Sequence, residues 1–141
     1  MPTPKAPLQP KWLDALTSHA TYPHPVARIQ LSETPISWVV LTGDWTYKLK
    51  KAVNLGLIDF STLELRKSAC HDEARLYQRT APESYADVVT LTEETSGPRF
   101  GGTGRVLEYA VRTRPFAQED MPDPLKAIVP TFQYPIPQTN C

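Results

Sequence analysis

The chain has 141 residues, room for one domain with a modest core and not for two sizeable ones. Lys+Arg 15 against Asp+Glu 15 leaves a formal net charge of +0, without the basic excess or stripe of a nucleic-acid binder. No run reaches the ~18 apolar residues of a membrane span, the start Met1-Pro2-Thr3-Pro4-Lys5 lacks a secretory apolar core, and Cys70 and Cys141 are too few for a disulfide framework, so a soluble, cytoplasmic chain with reduced thiols is expected.

The 15 prolines cluster at the two ends, where a missing backbone donor and a fixed φ oppose regular structure. A disordered start over residues 1–10, a compact domain over 11–120 and an irregular Pro-rich tail over 121–141 are expected. Lys11 to Ala20 reads as a short helix with Trp12, Leu13, Leu16 and Ala20 near one stripe. Tyr22-Pro23-His24-Pro25 ends it. Arg28 to Ser32 reads as a first strand and the apolar run Ser37 to Thr42 as a buried second one. Gly43-Asp44 makes a hairpin turn into a third strand, Trp45 to Lys50, because glycine accepts positive φ. Asn54 to Phe60 is a loop. Ser61-Thr62-Leu63-Glu64 matches a capping box, and the helix it opens runs to about Thr80, before Pro82. Val88 to Thr92 is a fourth strand, Gly97 to Gly104 a turn-rich excursion, and Val106 to Thr113 a fifth strand. The fold class is therefore α+β: a five-stranded antiparallel sheet with one long helix, in the order three strands, helix, two strands.

The third strand and the helix carry the chemistry. Strand side chains repeat every two residues, so Trp45, Tyr47 and Leu49 share one face and Thr46, Lys48 and Lys50 the other. On the helix, Glu73 stands between Ala69 and Cys70 on one side and Leu76 and Tyr77 on the other. A carboxylate among apolar neighbours is costly unless a cation reaches it. A strand lysine is the candidate, with Arg66, Lys67 and Arg75 as local competitors. Blander readings stand beside this one: a strand lysine is usually solvated, and most helix glutamates lie on the surface. Cys70-His71-Asp72-Glu73 is a poor metal site, since consecutive helix residues diverge and no second ligand cluster exists. Gly101-Gly102-Thr103-Gly104 lacks the Gly-Lys-Ser/Thr ending of a phosphate-binding loop and reads as a turn. Arg105, Arg112 and Arg114 form a mild basic patch.

The order of elements resembles the small, nucleotide-binding lobe of the kinase fold. Several segments narrow the resemblance: Tyr22-Pro23-His24-Pro25-Val26, Glu33 to Val39, Leu41 to Lys51, Leu57 to Glu64, Glu73-Ala74-Arg75-Leu76-Tyr77 and Glu108 to Arg112. Together they are similar to aminoglycoside-phosphotransferase-like kinases, specifically a bacterial family in which such a domain is fused to a P-loop ATPase-type domain. The likeness covers roughly residues 12 to 120. It implies that Lys48 contacts the α- and β-phosphates of ATP and that Glu73 orients it. It implies that Thr46, two positions earlier, faces adenine; choosing Lys50 instead would set Lys48 against the base. The Glu33 to Trp38 loop corresponds to the phosphate-covering loop but contains no glycine, leaving backbone amides and the hydroxyls of Thr34 and Ser37 as phosphate contacts. Arg112 to Phe116, with Thr113, corresponds to the hinge whose backbone holds adenine.

The same fold takes its base and metal ligands from a second, helical lobe, in a His-x-Asp loop, a following Asn and a metal-binding Asp. His19, His24 and His71 all precede the hinge, so the Mg2+ ligands and catalytic loop are not in this chain. The expectation is the N-terminal lobe of a truncated or frameshifted small-molecule phosphotransferase, inactive alone and binding ATP weakly. The alternatives are a non-catalytic nucleotide-binding module, acting on a separate helical lobe, and an interaction domain that self-associates through an exposed sheet face. The acceptor is not legible.

Overall fold

The computed structural model describes residues 9–114. Residues 1–8 of the Pro-rich start, the tail from Met121 and the last two hinge positions, Pro115 and Phe116, lie outside the described residues. The strands are β1 (Gln30–Thr34), β2 (Ser37–Leu41), β3 (Thr46–Lys50), β4 (Asp87–Glu94), β5 (Gly97–Phe100) and β6 (Arg105–Thr113); the helix α1 spans Leu63–Thr80. They form one antiparallel sheet in the order β1-β2-β3-β6-β4-β5, with α1 crossing between β3 and β4. The class is α+β with six strands among the described residues, not five.

The additional strand is β5, in the stretch read from sequence as turns. Gly97 and Pro98 argued against a strand. Yet β5 is an edge strand pairing only with β4, where proline's missing donor costs no ladder bond, and Gly97 takes φ 122 at the turn. Burial of Phe100 at the strand's end draws the segment into the sheet.

Local chemistry explains the other elements. Pro35 and Ile36 close the β1–β2 hairpin between the paired residues Thr34 and Ser37. Gly43, at φ 99, and Asp44 turn β2 into β3, with the Thr42 amide donating to the Trp45 carbonyl at 2.9 Å. At the start of α1, Thr62 and not Ser61 is the N-cap: its Oγ1 accepts from the Leu65 amide at 3.1 Å. The residue three beyond Thr62 is therefore Leu65, so no reciprocal carboxylate closes a capping box, and Glu64 contributes only its charge to the first turn.

The expected helix from Lys11 to Ala20 is two 3-10 turns, Leu13–Thr17 and His19–Thr21. Ser18 interrupts them with extended backbone, and its hydroxyl accepts from the Ala20 amide, so local side-chain bonding outcompetes the α-helix. Leu13 and Leu16 still reach the core, while Ala20 is exposed.

The sheet is covered on both faces. On one, Leu13, Leu16 and Tyr22 pack with Trp38, Val40, Tyr47, Leu49, Leu91, Phe100 and Ala110. On the other, α1 lays Cys70 and Tyr77 against Ala81, Ala86 and Val111.

Candidate functional site

β3 lies inside the sheet between β2 and β6, and all five of its residues are buried. Tyr47 and Leu49 enter the aromatic core. Thr46, Lys48 and Lys50 face the other way, toward α1. Two lysines on an inner strand are tolerated because the helix answers them with Glu73, placed among Cys70, Ala74 and Tyr77 on its buried stripe.

Lys50 Nζ hydrogen-bonds Glu73 Oε1, and Lys48 Nζ lies 3.2 Å from Oε2. The three residues are only 5, 8 and 6 % exposed, for Lys50, Lys48 and Glu73 respectively. The second contact is an ion pair outside hydrogen-bonding geometry, so Oε2 has no hydrogen-bond donor among the described residues. Burial pushes the Lys48 ammonium below the ordinary lysine value; Glu73 opposes that shift and the nearby Lys50 charge adds to it. For Glu73, burial works to raise the carboxyl, but the charges of Lys48 and then Lys50 outweigh it and hold the group below the usual carboxylate range. With both lysines protonated, two ammonium groups face one carboxylate, and burial of Lys48 works against that charged state.

The residues around the cluster sort into three groups. Thr46 is opposite Thr113 of β6, one strand repeat from Lys48, and its buried Oγ1 has no partner among the described residues. Thr34 and Ser37 are brought together, but with each other: their hydroxyls share a 2.8 Å hydrogen bond across the β1–β2 turn, and Thr34 Oγ1 also accepts from the Ile36 amide. As they stand, these hydroxyls hold the hairpin turn. Arg112 is one residue out of phase with Val111, so its side chain lies on the aromatic face. There it makes two hydrogen bonds to Asp87, at 2.8 and 3.2 Å, and sits 4.5 Å from the centroid of Trp45. Its backbone lies in the sheet ladder, opposite Tyr47 of β3 and Asp87 of β4.

The local competitors for Glu73 are engaged elsewhere. Arg66 bonds Glu108 through Nε at 2.8 Å and the Phe60 carbonyl through a terminal nitrogen. Burial raises the Glu108 carboxyl despite that guanidinium. Arg75 pairs with Asp72 on the outer helix face, and Lys67 lies over the Tyr109 ring. His71 and Asp72 point outward while Cys70 and Glu73 point in, and no group of three or more metal-ligating side chains occurs among the described residues. The Cys70 thiol, fully buried against the Tyr109 carbonyl, is pushed up to about 12 by burial. The three arginines are not one patch: Arg105 pairs with Glu93 at the far end of β6, whereas Arg112 and Arg114 flank Trp45.

Sequence reasoning missed the double occupancy of Glu73. The signal was present: Lys48 and Lys50 are two apart and share a strand face, so a helix carboxylate that meets one is within reach of both. It also missed Phe60, whose ring lies 5.6 Å from Lys50 Nζ. Further along the same connection, Leu55, Leu57 and Ile58 are exposed, with Leu65 of α1.

Comparison with known proteins finds relatives that carry no functional name. Uncharacterized proteins of Mycobacterium bovis and of two strains of Mycobacterium tuberculosis are each 39% identical to this chain over 77 residues. The matched stretch is 52% of this chain and 16% of each relative, so the chain spans a small part of the proteins it matches. No family model and no solved structure matches. No helix among the described residues is long and apolar enough to cross a membrane.

Proposed function

We propose that this domain is the nucleotide-positioning lobe of an ATP-dependent small-molecule phosphotransferase of the aminoglycoside-phosphotransferase-like kind, requiring a catalytic lobe for turnover. One observation carries the reading: the buried lysine–lysine–glutamate cluster between β3 and α1, with two lysines set against one carboxylate. A buried net charge is costly, and an arriving anion relieves it. A phosphate chain beside Lys48 supplies that anion, and the unpartnered Thr46 hydroxyl next to it is a hydrogen-bonding group suited to the nucleoside end. The element order, three strands before the helix and further strands after it, supports the same reading.

In this reading ATP supplies the γ-phosphoryl group. Lys48 holds phosphate oxygens, Glu73 keeps the lysine side chains extended along the sheet face, and backbone groups at Arg112 and Thr113 meet the base. None of these residues takes a proton from an acceptor hydroxyl or binds Mg2+, which is why the lobe is inactive alone.

Calorimetric titration of the 141-residue chain with MgATP and with adenosine tests the assignment. Charge-assisted contacts are worth about 1.5–3 kcal/mol, so MgATP is expected to bind roughly 10- to 100-fold tighter than adenosine. In Lys48→Met that preference disappears. Equal binding of the two ligands by the wild-type chain ends the proposal.

A further inference from the structure

Glu73 serves two lysines, and the geometry does not treat them alike. Lys50 hydrogen-bonds Oε1, and its ammonium also packs against the Phe60 ring. Lys48 stands 3.2 Å from Oε2 outside hydrogen-bonding geometry, and the unpartnered Thr46 hydroxyl is on the same sheet face. Once Lys50 has neutralised the carboxylate, the charge of Lys48 is surplus. Moving the Lys48 ammonium away strands no anion, because Lys50 remains. Moving Lys50 away breaks a hydrogen bond and a cation–π contact together.

Resting on the nucleotide reading above, we infer that the two lysines have separate tasks: Lys50 is a positioning residue that neutralises and fixes Glu73, and Lys48 is thereby free to turn from Glu73 onto the oxygens of a polyphosphate. This departs from the arrangement implied by the kinase likeness, in which one lysine meets both the glutamate and the phosphates. It assigns Lys50 a role in ligand binding exerted entirely through another residue. The chemical class of ligand it selects is an anion of two or more charges, such as the phosphate chain of a nucleoside triphosphate.

The test is the ratio of MgATP to adenosine affinity in the full chain and in Lys48→Met, Lys50→Met and Lys50→Met/Glu73→Gln, with a melting curve for each. Lys48→Met is expected to bring the ratio to about 1, a loss of the roughly 10- to 100-fold preference, without lowering the melting temperature, because Glu73 keeps its hydrogen-bonded partner. Lys50→Met is expected to lower the ratio too, since Lys48 must then stay on Glu73. Removing the carboxylate in the double variant releases Lys48 and restores the preference. A merely structural role for Lys50 predicts no such rescue. A double variant without the preference overturns the inference, as does a Lys48→Met protein that keeps it. If Lys50→Met alone does not fold, the double variant is compared directly with wild type and Lys48→Met. A wild-type chain that does not distinguish MgATP from adenosine overturns the nucleotide reading itself, a separate result from failure of the rescue.

Discussion

Alternate residues of β3 enter two buried environments that differ in kind. Tyr47 and Leu49 enter an aromatic core in which Tyr47 stacks on Phe100 at a 4.4 Å centroid distance and its hydroxyl bonds His24 Nε2 at 2.7 Å. Lys48 and Lys50 enter a charged layer under α1. The aromatic face gains stability from apolar area and close packing, with about 0.5–1.5 kcal/mol more from each ring pair. The charged face gains little by being buried, because desolvation of the ions offsets much of their attraction. A strand can therefore be equally enclosed on both sides while only one side is built for stability. The other keeps a costly arrangement of charges.

Three perturbations sharpen that contrast. The largest effect belongs to the aromatic face. Tyr47→Ala opens a cavity beside Phe100 and Tyr22 and is expected to cost about 3–5 kcal/mol in urea unfolding at pH 7. A loss smaller than that of Glu73→Gln would mean that the aromatic face is not the more stabilising one.

On the charged face, Glu73→Gln leaves two buried ammonium groups without an anion and is expected to cost about 3 kcal/mol at pH 7. Here the loss depends on pH. The folded Glu73 carboxyl titrates below its unfolded value of about 4.3, so its contribution is complete above that value and disappears as pH falls through the folded one. The gap between wild type and Glu73→Gln should close as pH is lowered below about 4, measured by urea unfolding across a pH series. A constant gap would show that the carboxylate's charge is not what the lysines require.

The smallest effect is at the roof of the charged face. Thr62→Ala removes the N-cap bond to the Leu65 amide and is expected to cost about 1 kcal/mol. Because α1 covers only one face, amide exchange should rise first in the opening turns of α1 and hardly at all in the strands around Tyr47 and Phe100. Uniform acceleration would mean that helix and aromatic core open as one unit.

Much of this was legible in the sequence because the signals are local. The period-2 alternation of Trp45 to Lys50, the Gly43 turn and the stop of α1 before Pro82 all depend on neighbouring residues. Glu73 on an apolar helix stripe announced a buried carboxylate that needed a cation. Where the reading failed, competing local options were close in energy. Ser18 can cap or continue a helix, Ser61 and Thr62 can each begin one, and Pro98 is excluded from an inner strand but accepted at an edge.

By itself, the alternation in β3 fits one wet face and one dry face as well as a strand enclosed on both sides. Residue order alone determined that Lys48, Lys50 and Glu73 lie on the matching surfaces of a strand and a helix, since that follows from the periods of 2.0 and 3.6. Only the packing of α1 across β3 and β6 decided that both faces are dry and that the two lysines share one carboxylate; the β1–β2 turn joins Thr34 to Ser37, and the pairing of β4 with β6 brings Asp87 to Arg112. Periodicity sets the direction in which a side chain leaves its own backbone. What it meets there belongs to a segment tens of residues away, and the desolvation and hydrogen bonding that follow exist only once the two are brought together.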